Sequence, residues 1–411
     1  MSISSRASGI ATGTAAPTIK ISRRIQQVAE SLTLALEAKT KALQAEGVDV
    51  VGFGAGEPDF DTPEVIRARA HADLEAGATR YTPAAGLPEL KQAICEKFAR
   101  DNGLAYRPDQ VIVSVGAKHS LYNIFQTLLD EGDEVILPAP YWLSYPEQIR
   151  MGGGKVVAIA TGADSDFKIR PEHLEAAMSP RTVAFLINSP SNPTGMVYSP
   201  EEIRALARVV EAHPDVTVIS DEMYEHLVYD GARTMSFAAA AGMFDRTITV
   251  NGMSKTYAMT GWRIGYCAGP LAVIKAMARL QSHSTSNPTT FCQTASITAL
   301  REGAADAERM RQSFDARRKV MVAGLRTLPG VRCPEPLGAF YVFPDVSALY
   351  EKAGLKGSID FCDRLLTEAR VACVPGLPFG DDRCIRLSYA TSKENIEKGL
   401  SRLAAWIASL G

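Results

Sequence analysis

The chain contains no run of about 18 apolar residues, so nothing in it is expected to span a bilayer as a helix. It has no basic surplus either. The 44 Lys and Arg against 46 Asp and Glu leave a net charge of −2, which offers no attractive field to nucleic acid or an anionic membrane. The seven cysteines, Cys95, Cys267, Cys292, Cys333, Cys362, Cys373 and Cys384, are scattered, with no Cys-x-x-Cys pair and no Cys/His cluster. That argues against a zinc site, and no metal is expected. An odd, dispersed set suits a reducing compartment in which thiols serve as small apolar side chains, so a cytoplasmic location is expected. Internal repeats and low-complexity linkers are missing. Residues Met1–Ile19 have no acidic residue and lack the apolar run of a secretory signal. They read as a frayed, flexible tail, with an organelle transit peptide as the weaker alternative.

What is present is an ordinary globular composition, 46% hydrophobic and 22% charged over 411 residues. That length predicts two domains. The middle of the chain alternates short β-rich runs with amphipathic helical runs. Gln110–Val115, Glu134–Leu137, Val156–Ala160, Val183–Asn188, Val216–Ser220 and Thr247–Val250 read as strands. Ser120–Leu129 and Pro200–Ala212 read as helices between them. Such alternation predicts an α/β fold with a mainly parallel sheet covered by helices, and runs as apolar as Val111–Val113 fit strands buried on both faces. Toward the ends, Arg23–Gly47 and about Arg309–Thr327 read as helices. Val48–Phe53, Phe340–Phe343 and Ile385–Ser388 read as strands, Phe361–Ala369 as a helix, and a last helix follows Ser392. The expected division is a tail over 1–19, a smaller α+β domain from 20–65 with 305–411, and a large α/β domain over 66–304.

Six segments carry candidate chemistry. Ser254-Lys255 and Arg263 follow the strand Thr247–Val250, at the strand end where α/β sheets bind ligands. A lysine amine there can condense with an aldehyde cofactor, and an arginine suits a phosphate dianion. Alone, the pair also reads as solvated surface charge. Asp221 and Tyr224 follow the strand Val216–Ser220. A carboxylate can keep a pyridine nitrogen protonated and a phenol can donate to a ring oxygen, although an Asp after a strand is also a common helix cap. Asn188-Ser189-Pro190-Ser191-Asn192-Pro193-Thr194-Gly195 is a turn that projects Asn192 toward the same oxygen, or simply a tight loop. Gly116-Ala117-Lys118 turns a strand into a helix, and the free N–H groups of that turn make an anion site. Trp142 follows the strand Glu134–Leu137, where an indole can stack on a ring or sit half-buried in a core. Arg386 stands in an otherwise apolar strand. It needs a partner there, either a substrate carboxylate or an internal acid. One cofactor, pyridoxal 5′-phosphate, would use all six segments.

With these residues the sequence resembles the fold-type I, class I pyridoxal-phosphate aminotransferases, and within them the bacterial subgroup of aspartate aminotransferases. The resemblance runs from about Ser22 to the C-terminus. It rests on Gly54-Ala55-Gly56-Glu57-Pro58-Asp59-Phe60, Tyr81-Thr82-Pro83-Ala84-Ala85-Gly86, Asn188–Gly195, Ser220–Tyr224, Ser254–Arg263 and Arg386–Ser392. It implies a seven-stranded large-domain sheet and a homodimer with shared active sites. Lys255 would be the cofactor-linked lysine and the base, Asp221 the partner of the ring nitrogen, and Asn192 and Tyr224 the partners of the ring oxygen. Trp142 would stack on the ring. Gly116, Ala117, Ser254 and Arg263 would hold the phosphate, and Tyr81 would reach the phosphate of the neighbouring subunit. Arg386, Asn192 and Gly56 would grip the substrate α-carboxylate.

One departure matters. Gln281-Ser282-His283-Ser284-Thr285-Ser286-Asn287 offers no arginine for a distal substrate carboxylate, whereas Lys118 matches the lysine that the resembled subgroup uses. Gly252 stands where some members have a phosphate-binding serine. The implied reaction is transfer of the amino group from L-aspartate to 2-oxoglutarate. The alternative adds prephenate as an acceptor, on the thin signal of Thr82. A β-eliminating lyase fits a two-carboxylate grip poorly. A ligand-sensing transcription regulator would need a basic helix-turn-helix ahead of the aminotransferase-like region, and the short tail offers none.

Overall fold

The computed structural model describes residues 19–29 and 32–410. The tail expected over Met1–Ile19 lies, except for Ile19, outside the described residues. Twelve strands occur among them: β1 (Val51–Gly52), β2 (Val111–Ser114), β3 (Glu134–Ala139), β4 (Lys155–Ala160), β5 (Thr182–Asn188), β6 (Thr217–Asp221), β7 (Thr247–Gly252), β8 (Gly265–Ala268), β9 (Tyr341–Val342), β10 (Val371–Ala372), β11 (Val374–Pro375) and β12 (Ile385–Ser388).

The expected α/β core is present as a seven-stranded sheet in the order β2-β8-β7-β6-β5-β3-β4. The contacts β3/β4, β3/β5, β5/β6 and β6/β7 are parallel, while β8 runs antiparallel to both neighbours. Six of these strands coincide with the six apolar runs read from the sequence. β2 and β7 are buried along their whole length, as expected for strands covered on both faces. The seventh, β8, escaped that reading because Gly-Tyr-Cys-Ala is short and carries no run of β-branched residues. It returns from the Lys255 loop and inserts between β2 and β7. Gly265 is needed there, since a Cβ would lie 2.1 Å from the backbone nitrogen of Ala117. The parallel strands aim their C-terminal ends at one rim of the sheet, which places Asn188, Asp221 and the loop after β7 side by side.

The chain ends are joined in space. β1 pairs in parallel with β10, in the register Val51↔Val371. β11, β12 and β9 form an antiparallel sheet with Val374 opposite Arg386 and Tyr341 opposite Ser388. The last helix, Lys393–Ser409, starts at Ser392, whose hydroxyl accepts from the Asn395 N–H. It packs on β1 and on the helix Ala304–Arg326.

Three expectations need correction. The helix expected over Arg23–Gly47 is two helices, Arg23–Gln26 and Leu32–Ala45. The first buries no residue, so no packing extends it. The strand expected over Val48–Phe53 is only Val51–Gly52, the two residues that find a partner in β10. The long charged helix begins at Ala304 rather than near Arg309. No helix among the described residues is long and apolar enough to cross a membrane.

Candidate active site

Between the rim of the large sheet and the small sheet lies a cavity of about 470 Å³. Of the residues singled out from the sequence, Gly56, Ala117, Lys118, Trp142, Asn192, Asp221, Tyr224, Ser254, Lys255, Arg263 and Arg386 line it. Gly116 stands just behind the wall. Tyr81 does not enter the cavity and is 91% exposed.

One end of the cavity is cationic. β2 stops at Ser114, and Gly116 caps the helix Ala117–Leu128 with φ 84°. A Cβ on Gly116 would come within 2.4 Å of the Arg263 guanidinium and push it aside, and the positive φ itself favours glycine. The guanidinium donates to the Thr260 carbonyl at 2.9 Å. Ser254 is buried beside it. The first N–H groups of the helix have no partner within it and carry the positive end of its dipole. Lys118 lies in the same turn, its ammonium 4.9 Å from the Trp142 ring centre. Partial burial first, and the Arg263 charge second, hold that ammonium below the usual lysine range. At Gly252 a Cβ would meet the Met223 methyl at 3.0 Å and the Gly265 backbone at 3.1 Å. A serine at this position would need Met223 and β8 to give way by a few tenths of an ångström.

The floor is formed by β5 and β6. The Asn188 amide donates to the Asp221 carbonyl at 3.0 Å, and Asn188 Oδ1 accepts from the Asn192 N–H at 2.9 Å. The turn that projects Asn192 is thereby tied to the strand that ends in Asp221. The Asp221 carboxylate is buried and accepts from the Tyr145 hydroxyl at 2.6 Å and the Met223 N–H at 3.2 Å. Burial pushes its pKa up, and the Tyr145 and Met223 hydrogen bonds pull against that rise.

Lys255 lies between these groups. Its ammonium donates to the Gly56 carbonyl. Loss of water pushes its pKa down to about 8, against the opposing pull of Glu57, and the cations Arg386, Arg263 and Lys118 add to the depression. A substantial share of the amine is therefore neutral near physiological pH, the form that can act as nucleophile or base.

The far end belongs to the small sheet. Arg386 is buried, donates to Asn192 Oδ1 at 3.0 Å and to the Gly54 carbonyl at 2.9 Å, and lies 4.6 Å from the Tyr341 ring centre. Its Nε is buried and finds no partner. No acid pairs with it among the described residues, so the internal ion pair weighed from the sequence is not formed. A buried guanidinium with spare donors is a site for a carboxylate.

Three cavity residues escaped the sequence reading as functional groups. Tyr145 sits one helical turn beyond Trp142, a spacing that could have suggested it. Glu57 lies within a quoted motif and accepts from Thr260 Oγ at 2.8 Å. Tyr341 looked like one more apolar strand residue.

Comparison with known proteins gives the same direction. The sequence profile of the aminotransferase class I and II family matches residues 48–403. The aspartate aminotransferase of Geobacillus stearothermophilus is 50% identical over 94% of this chain and 98% of its own. The aspartate/prephenate aminotransferase of Cereibacter sphaeroides is 48% identical over 95% and 99%. Among solved structures, Thermus thermophilus aspartate aminotransferase with maleate superposes with a TM-score of 0.90 at 46% identity, covering 94% of this chain and 100% of that one. Identity of that order across nearly the whole length, on a shared fold, makes this chain a fold-type I enzyme of the class I and II aminotransferase family.

Proposed function

We propose that the cavity holds pyridoxal 5′-phosphate and that the enzyme is an aspartate aminotransferase, converting L-aspartate and 2-oxoglutarate to oxaloacetate and L-glutamate. The donor set fits the cofactor. Arg263, Ser254 and the helix start at Gly116-Ala117 would take the phosphate. Asp221, a buried carboxylate without a basic hydrogen-bond partner, would take the ring nitrogen. Asn192 and Tyr224 would take the ring oxygen, Trp142 the ring face and Lys255 the aldehyde carbon. When bound, the cofactor supplies a carbonyl carbon for the amino group and a ring that withdraws electrons from the substrate α-carbon.

The protein's own groups do the rest. Arg386 and Asn192 hold the α-carboxylate, with the Gly54–Gly56 backbone beside them. Lys118 takes the distal carboxylate as a point charge. The grip at both ends turns the α C–H bond toward Lys255. The Lys255 Nζ, neutral to a useful extent, would remove the α-proton and pass it to the carbon that takes the amino group, not back to the α-carbon. Tyr145 and Met223 offset part of the burial cost of the Asp221 carboxylate, which would hold the proton on the ring nitrogen. The observation that carries this reading is that a largely buried amine, a buried carboxylate and a buried guanidinium with no acid partner among the described residues share one cavity.

We also take the enzyme to be a cytoplasmic homodimer in which the exposed Tyr81 reaches the neighbouring subunit's phosphate. Its small domain, 20–65 with 305–411, would close on the large domain, 66–304. A second reading, added activity toward prephenate, is favoured by the name of the Cereibacter relative. Thr82, the residue that suggested it, is tied by the Gln293 amide at 3.1 Å.

The test is to add excess L-aspartate, without acceptor, to the protein loaded with cofactor. The visible band should bleach while one equivalent of oxaloacetate appears per site. A persistent band would sink the aspartate assignment. Absence of any lysine-dependent band would sink the cofactor assignment. Recovery of the band with 2-oxoglutarate or with prephenate then separates the two acceptors.

A further inference from the structure

The hydroxyls of Tyr224 and Tyr341 are 3.1 Å apart. Both residues are buried, with Tyr341 fully so, and their rings meet edge to face at 5.9 Å. Neither hydroxyl has another protein partner among the described residues. Each phenol has one proton, so either one can be the donor of this bond, and the choice decides what Tyr224 can do. If Tyr224 donates to Tyr341, its proton is spent and its oxygen offers only lone pairs to the cavity. If Tyr341 donates to Tyr224, the Tyr224 proton is free to point into the cavity.

The surroundings decide between the two. The Arg386 guanidinium lies 4.6 Å from the Tyr341 ring centre. A cation over a phenol ring draws charge out of it and makes its hydroxyl the more acidic, hence the better donor. The same guanidinium also pulls on Tyr224, but there burial and the neighbouring Tyr341 outweigh it and Asp221 adds a little to the rise, which leaves Tyr224 the poorer acid. Glu57 acts similarly on Tyr341, but ranks behind Arg386. Tyr341 is held in place by its backbone, opposite Ser388 on β12, two residues from Arg386 on the same strand. The clamp for the substrate and the second phenol are thus carried by adjacent, hydrogen-bonded strands.

We propose that Tyr341 is a positioning residue: it donates its hydroxyl proton to Tyr224 and so fixes Tyr224 as a hydrogen-bond donor toward the ring oxygen of the bound cofactor. This rests on the cofactor reading above. Tyr341 touches neither the reacting carbon nor Lys255 in this role. It acts through Tyr224, and a chain of donations strengthens its last link. The ring oxygen is shared between Tyr224 and the nitrogen that Lys255 contributes to the cofactor linkage. A stronger Tyr224 donation eases loss of that nitrogen's proton and lowers the pH midpoint of the visible band.

The experiment is a spectrophotometric pH titration of the cofactor-loaded protein without substrate, for wild type, Tyr341→Phe, Tyr224→Phe and the double variant. Tyr341→Phe should raise the midpoint by about half a pH unit, in the same direction as Tyr224→Phe and by less. In the Tyr224→Phe background it should add nothing. 3-Fluorotyrosine at position 341, a more acidic phenol, should lower the midpoint instead. An unchanged midpoint in Tyr341→Phe, or an equal shift with and without Tyr224, overturns the inference while the lysine-dependent band leaves the cofactor reading standing. A wild-type protein with no such band overturns both.

Discussion

The end of the cavity that carries Arg263, Ser254 and the Ala117 helix start is assembled from the turn between β2 and the Ala117–Leu128 helix and from the loop that joins β7 to β8. The end that carries Arg386 draws Gly54 and Gly56 from near one chain terminus and Tyr341 and Arg386 from near the other. Lys255 spans the two, its loop belonging to the first and its hydrogen bond to Gly56 reaching the second. The first end follows from local geometry, since a strand that stops at the sheet rim must deliver its next residues there. The second exists only after β9, β12 and the Gly54–Gly56 segment have found each other. On the proposed reading, with the cofactor on the continuous part and the substrate clamp on the returning part, domain closure would assemble the reaction centre around substrate.

Removing the group that bridges both ends should have the largest effect. Lys255→Ala should lower the rate of amino-group transfer by about 10⁴-fold or more and abolish the lysine-linked visible band. Steady-state kinetics and absorbance check it together. The two ends are next set against each other. Arg386→Leu should reduce kcat/KM for aspartate by about 10²- to 10³-fold with cofactor retention unchanged. Arg263→Ala should do the reverse, losing cofactor on dialysis while the freshly loaded enzyme keeps its KM for aspartate. If both variants lose cofactor alike, the ends are not separable.

Lys118 offers a finer cut. Lys118→Ala should lower kcat/KM about tenfold to a hundredfold for aspartate and leave a monocarboxylic amino acid such as alanine little affected. Equal losses for the two substrates would remove Lys118 from the distal-carboxylate grip.

The smallest effect concerns stability of the cofactor-free protein. Burial holds Lys255 at about 8, below the 10.5 usual for lysine. Between those values the unfolded chain binds more protons than the folded one, so stability rises with pH across that window. Below it the cost of burying the ammonium is felt in full. Lys255→Met should therefore melt a few degrees higher than wild type near pH 7, with the difference closing toward pH 10.5. A constant difference across that range would mean that the gain is packing rather than charge.

The legible and illegible parts of the sequence divide along the same line. β2 to β7 announced themselves through apolar runs bounded by turns, and with them came Asn192, Asp221, Lys255 and the Gly116 turn. β8 did not, because its place depends on an antiparallel return that no local pattern signals. Tyr145 and Tyr341 were invisible as functional groups, since a buried tyrosine is read as core until its hydroxyl is seen to meet Asp221 or Tyr224. Gly252 read as a lost phosphate ligand, and the structure adds that a Cβ there would sit 3.1 Å from the Gly265 backbone of β8.

By itself the sequence determined the α/β alternation, the strand-end residues and the chemical class of the site. Strand periodicity, turn residues and side-chain chemistry are local properties written into short segments. The tertiary structure alone decided that Arg386 meets no internal acid among the described residues, that its spare donors face the same cavity as Lys255, and that the lysine's ammonium is weakened. Each of these depends on which distant segments exclude water from a group and which leave it unpaired, and that is set when the chain ends pack across the rim of the large sheet.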